Sequence, residues 1–372
     1  MASYASAKDA KAEAVKGLDP TKTATMLGSP FSDQQLGETG SALAGSYGEL
    51  KRQILNAGLL DRQPHFYLLT ISCTLSLYLA SFVLASLAAG LWLLPLKAAL
   101  VAFATCQLAF ITHDCGHRQI FARPNLNKVL GLLTGLLLGF SFNWWALKHN
   151  QHHAHPNVVG KDPDIDLGIL AFSRIQGERI DGIARMLVHY QVYTFLPLLA
   201  FEGFGLKAAS LQFLLKGKSR DRVLETVFVL VHHIAYSAVL ITFLGFSGFL
   251  AFAVMHHILA GLYFASVFAP NHTGRLVLDD GQELEFLRHQ VITSRNIRAT
   301  PLLTFWYGGL NFQIEHHLFP TMPRNNLRKA SLIVQPFCIE QRLDYQEAGL
   351  VESALEILRH LKRVSLELQP DR

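Results

Sequence analysis

Long apolar runs separated by polar stretches dominate the chain from about residue 66 onward. Four of them, at about 66–87, 91–112, 223–244 and 249–270, approach the roughly 20 residues that a helix needs to span a bilayer. Only short breaks separate the first run from the second and the third from the fourth, so each pair predicts a helical hairpin. The pattern predicts an all-α integral membrane protein with four transmembrane helices in two hairpins and a polar helical cap.

The chain before the first run has a different character. Residues 1–46 are rich in small and polar residues and contain no signal-peptide pattern, so we expect a flexible polar tail. Residues 47–65 predict an amphipathic helix before the membrane. The remaining residues, 66–372, are expected to form one membrane domain whose C-terminal part, 271–372, is cytoplasmic. The apolar face of the amphipathic helix consists of Leu50, Ile54, Leu59 and Leu60.

Two further segments, 129–147 and 186–206, are apolar enough to be ambiguous between spanning and interfacial helices. The first ends in Trp144-Trp145, which suits the headgroup level of a bilayer. The second contains a proline and several polar residues. We interpret both as interfacial, because a spanning segment at 129–147 would move the next polar stretch to the opposite side of the membrane.

Composition and charge support the membrane class. Half of the residues are hydrophobic and only 16% are charged, against about a quarter in soluble proteins. Lysines and arginines flank the hairpins, which predicts that both termini and the polar cap are cytoplasmic. The net charge of +5 accompanies no known nucleic-acid-binding motif. The four cysteines show no spacing typical of a disulfide framework or a zinc ribbon.

Three histidine clusters each lie just outside a long apolar run. They occupy residues 113–117 (His-Asp-Cys-Gly-His), 149–153 (His-Asn-Gln-His-His) and 313–317 (Gln-Ile-Glu-His-His). Spacings of three and four residues place side chains on one face of a helix. An additional histidine, His272, follows the fourth run directly. These clusters on one predicted membrane face indicate a metal site rather than scattered surface histidines.

The number of candidate ligands points to two metal ions. The candidates are His113, His117, His149, His152, His153, His272, His316, His317 and Gln313. A zinc site takes about four ligands, so eight or nine suit two ions. Imidazole binds iron, copper, zinc and nickel, so the ligand type alone does not name the metal. Nearby groups that could hydrogen-bond the remaining imidazole N–H atoms are Asp114, Asp162, Asp164, Asp166, Asn271 and Glu315.

These motifs resemble the histidine boxes of the membrane-bound fatty-acid desaturases. The resemblance covers the chain from about residue 66 to 364 and includes Asp162-Pro163-Asp164 after the second box. Gln313 at the start of the third box is similar to front-end desaturases and to bacterial acyl-lipid and acyl-CoA desaturases. The resemblance implies a di-iron centre that uses O2 to introduce a cis double bond into an acyl chain. It also implies that the eight histidines bind iron, while Gln313 could ligate, hold a water or only hydrogen-bond.

The resemblance carries expectations about partners as well. The sequence has neither the His-Pro-Gly-Gly motif of a fused cytochrome b5 domain nor a cysteine spacing for an iron–sulfur cluster. We therefore expect electrons from a separate ferredoxin or cytochrome b5. The expected substrate is a fatty-acyl group on coenzyme A or a membrane lipid. The expected location is the bacterial inner membrane rather than the endoplasmic reticulum.

Other residues and other functions remain open from the sequence. An acyl tunnel could be shaped by Trp144, Trp145, Trp306 and Tyr307, which are equally ordinary as interfacial anchors. The histidine pairs at 232–233 and 256–257 fall inside predicted spans, where we expect neutral imidazoles hydrogen-bonded between helices. Alternative functions on the same scaffold are a hydroxylase, a ketolase or a sphingolipid-modifying enzyme. A histidine-lined metal transporter is a remote alternative, because its ligands would lie near the bilayer midplane.

Overall fold

The computed structural model describes residues 40–87, 90–217 and 219–368. The first helix, α1 (Gly40–Asn56), begins before the predicted start at residue 47. Its Leu50 and Ile54 are fully buried against the C-terminal part of the chain, including Phe319 and Val334. The helix ends at Asn56, before the predicted end at residue 65, so Leu59 and Leu60 lie in the turn that follows it and pack against the same core. Residues 1–39, which make up most of the predicted tail, lie outside the described residues.

The first two apolar runs form an antiparallel pair. Helix α2 (Pro64–Leu87) and helix α3 (Leu94–Gly116) flank a short 3-10 turn at Leu91–Leu93. Their contacts run in opposite directions, because Ala85 packs near Ala98 whereas Tyr78 packs near Ala104 and Leu108. The predicted hairpin is present, and α3 continues four residues beyond the predicted end of its span. This extension carries His113, and His117 caps the C-terminus of the helix.

The two ambiguous segments are both bent helix pairs. Helices α4 (Pro124–Leu138) and α5 (Phe142–Ala154) meet at 109°. Two short helices follow, α6 (Arg174–Glu178) and α7 (Gly182–His189). The second bent pair is α8 (Gln191–Ala200) with α9 (Glu202–Leu215), which meet at 66°.

The last two apolar runs form one long helical segment, α10 (Arg222–His272), that reverses direction at Gly245. The backbone at Gly245 has φ 70° and ψ 170°, a conformation available mainly to glycine. In a straight helix Tyr236 and His256 would be about 30 Å apart. The Tyr236 hydroxyl instead lies 2.9 Å from His256 Nδ1, so the two arms pack side by side.

The length and hydropathy of the described helices are those of a membrane protein. Three of them, α2, α3 and α10, are long and apolar enough to cross a bilayer. The number rises to five if each bent pair counts as one span. The protein is therefore a largely helical chain with several candidate membrane spans.

The chain after α10 builds the polar cap. Its elements are α11 (Phe286–Ile292), β1 (Asn296–Ile297), α12 (Pro301–Trp306), α13 (Gln313–Leu318), a 3-10 turn (Arg324–Asn326), α14 (Leu327–Glu340), β2 (Glu347–Ala348) and α15 (Leu350–Glu367). The two strands pair in parallel, with Asn296 opposite Glu347. Ile314 and Leu318 of α13 are buried with residues of α1, α11 and α14. This core holds the third histidine cluster against the rest of the cap.

Candidate metal centre

Eight histidines converge into two adjacent groups. Within each group the candidate ligand nitrogens all lie within 4.8 Å of one another. The five-histidine group contains His113, His117, His149, His153 and His316. The three-histidine group contains His152, His272 and His317. All eight histidines that the sequence singled out as ligands therefore meet, and they divide between two positions.

Neighbouring residues of one helix contribute to different groups. His149 and His153 are four residues apart in α5 and share a face, whereas His152 belongs to the other group. His316 and His317 divide in the same way, because successive side chains of a helix point about 100° apart. The expectation that each cluster converges on one helical face therefore holds only for the residues four apart.

The geometry of the nitrogens fits metal binding. His113 Nε2 lies 3.1 Å from His316 Nε2, and His149 Nε2 lies 3.2 Å from His153 Nε2. Two ligands at right angles, with metal–nitrogen bonds of about 2.0–2.1 Å, would be about 3 Å apart. The Nε2 atom of His317 is buried and has no hydrogen-bond partner among the described residues. A buried polar nitrogen without a partner costs free energy, which a metal ion would recover.

The protonation states also suit a metal. Burial lowers the pKa of His117 to about 3, with a further contribution from His152. Burial and the neighbouring imidazoles lower the pKa values of His316 and His317 well below their usual range. These rings are therefore neutral at physiological pH, and a neutral imidazole is the form that binds a metal.

Four of the histidines have Nδ1 held by an acceptor, which turns Nε2 toward the centre of its group. The pairs are His152 with Asp162 at 3.0 Å, His317 with Gln290 Oε1 at 2.8 Å, His272 with the Thr293 carbonyl at 3.1 Å, and His113 with Asp114 at 3.3 Å. The acceptors therefore fix the orientation of these four rings.

Two of these acceptors, Asp162 and Asp114, are held in place by further contacts. Asp162 is fully buried and also accepts from the backbone N–H groups of Asn157 and Asp164. Asp114 is fully buried, and its other oxygen lies 3.1 Å from the guanidinium of Arg324. Both carboxylates therefore have partners beyond the histidine that they orient.

The other predicted supporting carboxylates differ in role. Asp164 lies 3.5 Å from His152 Nδ1 and forms an ion pair with Lys148 at 2.6 Å. The Glu315 carboxylate accepts hydrogen bonds from the Asn296 amide and the Tyr345 hydroxyl, each at 2.8 Å. Burial raises the pKa of Glu315 to about 7. Asp166 is exposed, and no histidine among the described residues contacts its carboxylate.

Gln313 lies beside the three-histidine group. Its side-chain nitrogen is 2.9 Å from His272 Nε2, and its oxygen accepts from the Asn271 amide at 3.1 Å. The oxygen and nitrogen of an amide are nearly alike in shape, so a half-turn of the group exchanges them. Either atom of the Gln313 amide can therefore face the group.

An apolar cavity opens beside both groups. His113, His149, His152, His272 and Gln313 line one part of its wall. Most of the remaining wall is aromatic and aliphatic, and charged side chains line a smaller part of it. The apolar residues include Phe140, Phe195, Leu199, Leu206, Phe264 and Phe268, and the charged residues are Lys148, Asp162, Asp164 and Glu202. This is a cavity in which a long apolar ligand would lie against the histidines.

Of the four aromatic residues that the sequence suggested for a tunnel, only Trp145 lines this cavity. Its ring stacks on His149 with 4.7 Å between centroids. Trp306 instead stacks on Tyr263 at 3.9 Å, and Tyr307 is fully buried in the same core. Trp144 is partly buried near Phe213 and Val229. Residues close to a ligand along the chain need not face the same space.

The histidines within the apolar helices lie outside both groups. His256 contacts Thr105 Oγ1 at 3.1 Å through Nε2 and the Tyr236 hydroxyl through Nδ1. It therefore joins α3 to both arms of α10, which confirms the expected interhelical hydrogen bonding for His256. His257 Nδ1 instead contacts the Ala253 carbonyl of its own helix at 2.7 Å. His155 is exposed and belongs to neither group.

Sequence reasoning missed Gln290, Thr293 and Arg324. Gln290 is almost fully buried in α11 between Leu287 and Val291. A polar residue on the apolar face of a helix signals a buried partner, so Gln290 could have been found. The Thr293 contribution is a backbone carbonyl, for which no side-chain pattern exists.

Comparisons with known proteins agree on one family. The model of a family described as fatty acid desaturase matches residues 89–349. The acyl-lipid (9-3)-desaturase of Physcomitrium patens is 29% identical over 329 residues, covering 86% of this chain. The delta(6)-fatty-acid desaturase fat-3 of Caenorhabditis elegans is 30% identical over 340 residues, covering 87%. The delta(8)-fatty-acid desaturase 2 of Arabidopsis thaliana is 30% identical over 353 residues, covering 88%. The chain spans 62% of the length of the first relative and 76% of the other two.

Proposed function

The chain belongs to the fatty acid desaturase family of membrane oxidoreductases, and we propose that it introduces a cis double bond into a fatty-acyl chain. The reaction removes two hydrogens from adjacent carbons and reduces O2 to two waters. Two of the four electrons come from the substrate, and the other two come from a donor protein. One observation carries the proposal, namely an apolar cavity whose wall includes histidines of two metal-binding groups.

We propose that two iron ions bind, one in each histidine group. The five-histidine group supplies enough nitrogens for one ion, while the three-histidine group leaves room for Gln313 or a small molecule. When bound, the irons supply the O2 chemistry that attacks an unactivated C–H bond. Burial lowers the pKa values of His117, His316 and His317. The contacts with Asp114, Asp162 and Gln290 orient His113, His152 and His317.

The cavity positions the substrate. Its apolar side chains favour an acyl chain through the hydrophobic effect. Holding one C–C bond beside the histidines selects which hydrogens leave, because reaction requires close approach and alignment. Trp145, stacked on His149, limits the space on one side of the metal-binding groups.

We further propose that α2, α3 and the two arms of α10 are four membrane spans, with the metal-binding groups on the cytoplasmic face. The His-bearing ends of α3 and α10 meet in one site, which requires both ends to lie on the same side. Lysines and arginines near these ends support the cytoplasmic side. We propose the bacterial inner membrane as the location.

The electron donor is proposed to be a separate ferredoxin or cytochrome b5. Three of the four cysteines are buried and dispersed rather than grouped, so they do not suit an iron–sulfur cluster. The substrate is proposed to be an acyl-CoA or an acyl-lipid, since the relatives above are named acyl-lipid or fatty-acid desaturases.

Expression in a host that lacks polyunsaturated lipids tests the proposal. A ferredoxin or cytochrome b5 and its reductase would be co-expressed, and acyl chains would be examined by mass spectrometry after derivatisation of double bonds. We expect a new double bond at one position, absent with His152→Ala. A hydroxylated product would contradict desaturation and identify a hydroxylase, and unchanged lipids with an active donor system would contradict the proposal.

A further inference from the structure

The break between α4 and α5 exposes backbone carbonyls in an apolar part of the protein. Helix α4 ends at Leu138, and Gly139 adopts a left-handed conformation with φ 72°. The last carbonyls of a helix have no partner within the helix. The Gly135 carbonyl accepts from the Gly139 N–H, which leaves the carbonyls of residues 136–139 to be satisfied by other groups.

Four side chains from three other helices meet these four carbonyls. Lys207 Nζ of α9 donates to the Leu138 carbonyl at 2.8 Å, and the Tyr78 hydroxyl of α2 donates to the Leu137 carbonyl. The imidazoles of His232 and His233 of α10 face the backbone at Leu136 and Gly139, respectively. Two of the four carbonyls therefore accept a side-chain hydrogen bond, and the other two lie beside imidazole rings.

The fit at Gly139 is tight. A Cβ atom placed on Gly139 would lie 2.2 Å from Cδ2 of His232, so the imidazole ring rests directly on the glycine backbone. Only glycine combines this close approach with the left-handed conformation. His232 is therefore fitted to the turn and is more than a lipid-facing polar residue.

Charge supports the same arrangement. Lys207 forms no ion pair with a carboxylate among residues 40–87, 90–217 and 219–368, and its ammonium lies at the C-terminus of α4. The C-terminus of a helix carries a partial negative charge that attracts a cation. At the other side of the break, Glu225 Oε1 accepts from the Asn143 N–H at the N-terminus of α5. The N-terminus carries a partial positive charge, so each helix end faces a charge of the opposite sign.

We propose that Lys207, His232, His233 and Tyr78 form a donor cap that fixes the bend between α4 and α5. The bend sets the direction of α5, which carries His149, His152 and His153 to both metal-binding groups. These four are positioning residues, since none of them belongs to either group. The link to metal binding rests on the proposed function, whereas the capping itself does not.

Two measurements on the purified full chain test the cap. Hydrogen–deuterium exchange of the metal-free protein reports the opening of residues 139–145. Titration with Fe²⁺ under anaerobic conditions reports metal affinity. We expect Lys207→Met to speed exchange in this segment about tenfold, because it removes a charge-assisted hydrogen bond. We also expect it to weaken Fe²⁺ binding about tenfold, as loss of an orienting partner does at metal sites.

Matched variants serve as controls for Lys207→Met. Lys207→Arg retains the charge and a donor and should restore both values, and Lys216→Met alters an exposed lysine at the end of α9 and should change neither. If Lys207→Met fails to fold, His232→Leu and the donor-retaining His232→Gln provide the same comparison. If Lys207→Met exchanged at the wild-type rate and bound Fe²⁺ with the wild-type affinity, the proposed cap would be wrong. If the wild-type protein did not bind Fe²⁺, the proposed metal centre would be wrong. The cap would still be supported if residues 139–145 exchanged slowly in the wild type and faster in Lys207→Met.

Discussion

Nδ1 of His152 lies 3.0 Å from each carboxylate oxygen of Asp162. The carboxylate fixes the tautomer of the imidazole, so Nε2 carries the lone pair that faces His272 and His317. A set of His152, Asp162 and Asp164 also has the spacing of a metal site. The 3.0 Å contact is an ordinary hydrogen bond, and we therefore interpret these carboxylates as support for His152.

The first prediction concerns Asp162. Asp162→Asn keeps the size of the side chain but removes its charge, so His152 is held less firmly. We expect metal affinity to fall about 10- to 100-fold, measured by anaerobic Fe²⁺ titration. Asp166→Asn changes an exposed carboxylate four residues away and should leave the affinity unchanged. Equal affinity in both variants would show that Asp162 does not orient the ligand.

The second prediction separates two neighbouring histidines. His153→Ala removes one nitrogen of the five-histidine group, whereas His155→Ala removes an exposed ring. We expect iron content to fall toward one ion per chain in His153→Ala and to stay at the wild-type level in His155→Ala. The measurement is elemental analysis of the purified folded protein. Loss of iron in His155→Ala alone would contradict the assignment.

The third prediction concerns Gln313. Its amide lies 2.9 Å from His272 Nε2, at the open side of the three-histidine group. We expect Gln313→Ala to weaken binding of the second iron about tenfold. Gln313→Glu, which retains an oxygen, should bind near the wild-type level. The matched control is Gln151→Ala, an exposed glutamine within α5. Wild-type binding in Gln313→Ala would show that the amide plays no part in holding the metal.

The fourth prediction concerns the cavity. Ala269 lines it beside Phe268, and Ala269→Phe would fill space that an acyl chain needs. We expect conversion to fall about tenfold or more and the products to shift toward shorter chains, with iron content preserved. Ala208→Phe places the same ring on an exposed position of α9 and should leave the products unchanged. Both are measured from the acyl-chain profile of expressing cells.

The sequence predicted the ligands better than their arrangement. Box spacing paired His113 with His117 and His149 with His153, because residues four apart on a helix share a face. It did not assign His152 and His153 to different groups, since that depends on where α10 and α13 approach α5. The same limit explains Trp306 and Tyr307, whose packing on Tyr263 and its neighbours is set by tertiary contacts.

The sequence predicted those parts of the fold that depend on residues close together along the chain. Apolar length located the hairpins, and the reversal at Gly245 falls at the predicted turn. The bend between α4 and α5 was not predicted, because it depends on donors such as Lys207 that lie about 70 residues away along the chain. The supporting contact between Arg324 and Asp114 is also long-range and has no local signature.

The metal content of the wild-type protein tests the central claim most directly. The protein would be purified in mild detergent from cells grown with iron and zinc, and both metals would be quantified against protein by elemental mass spectrometry. The account predicts two irons per chain, one for each histidine group. One stoichiometric zinc, or no metal in a folded protein, would contradict it.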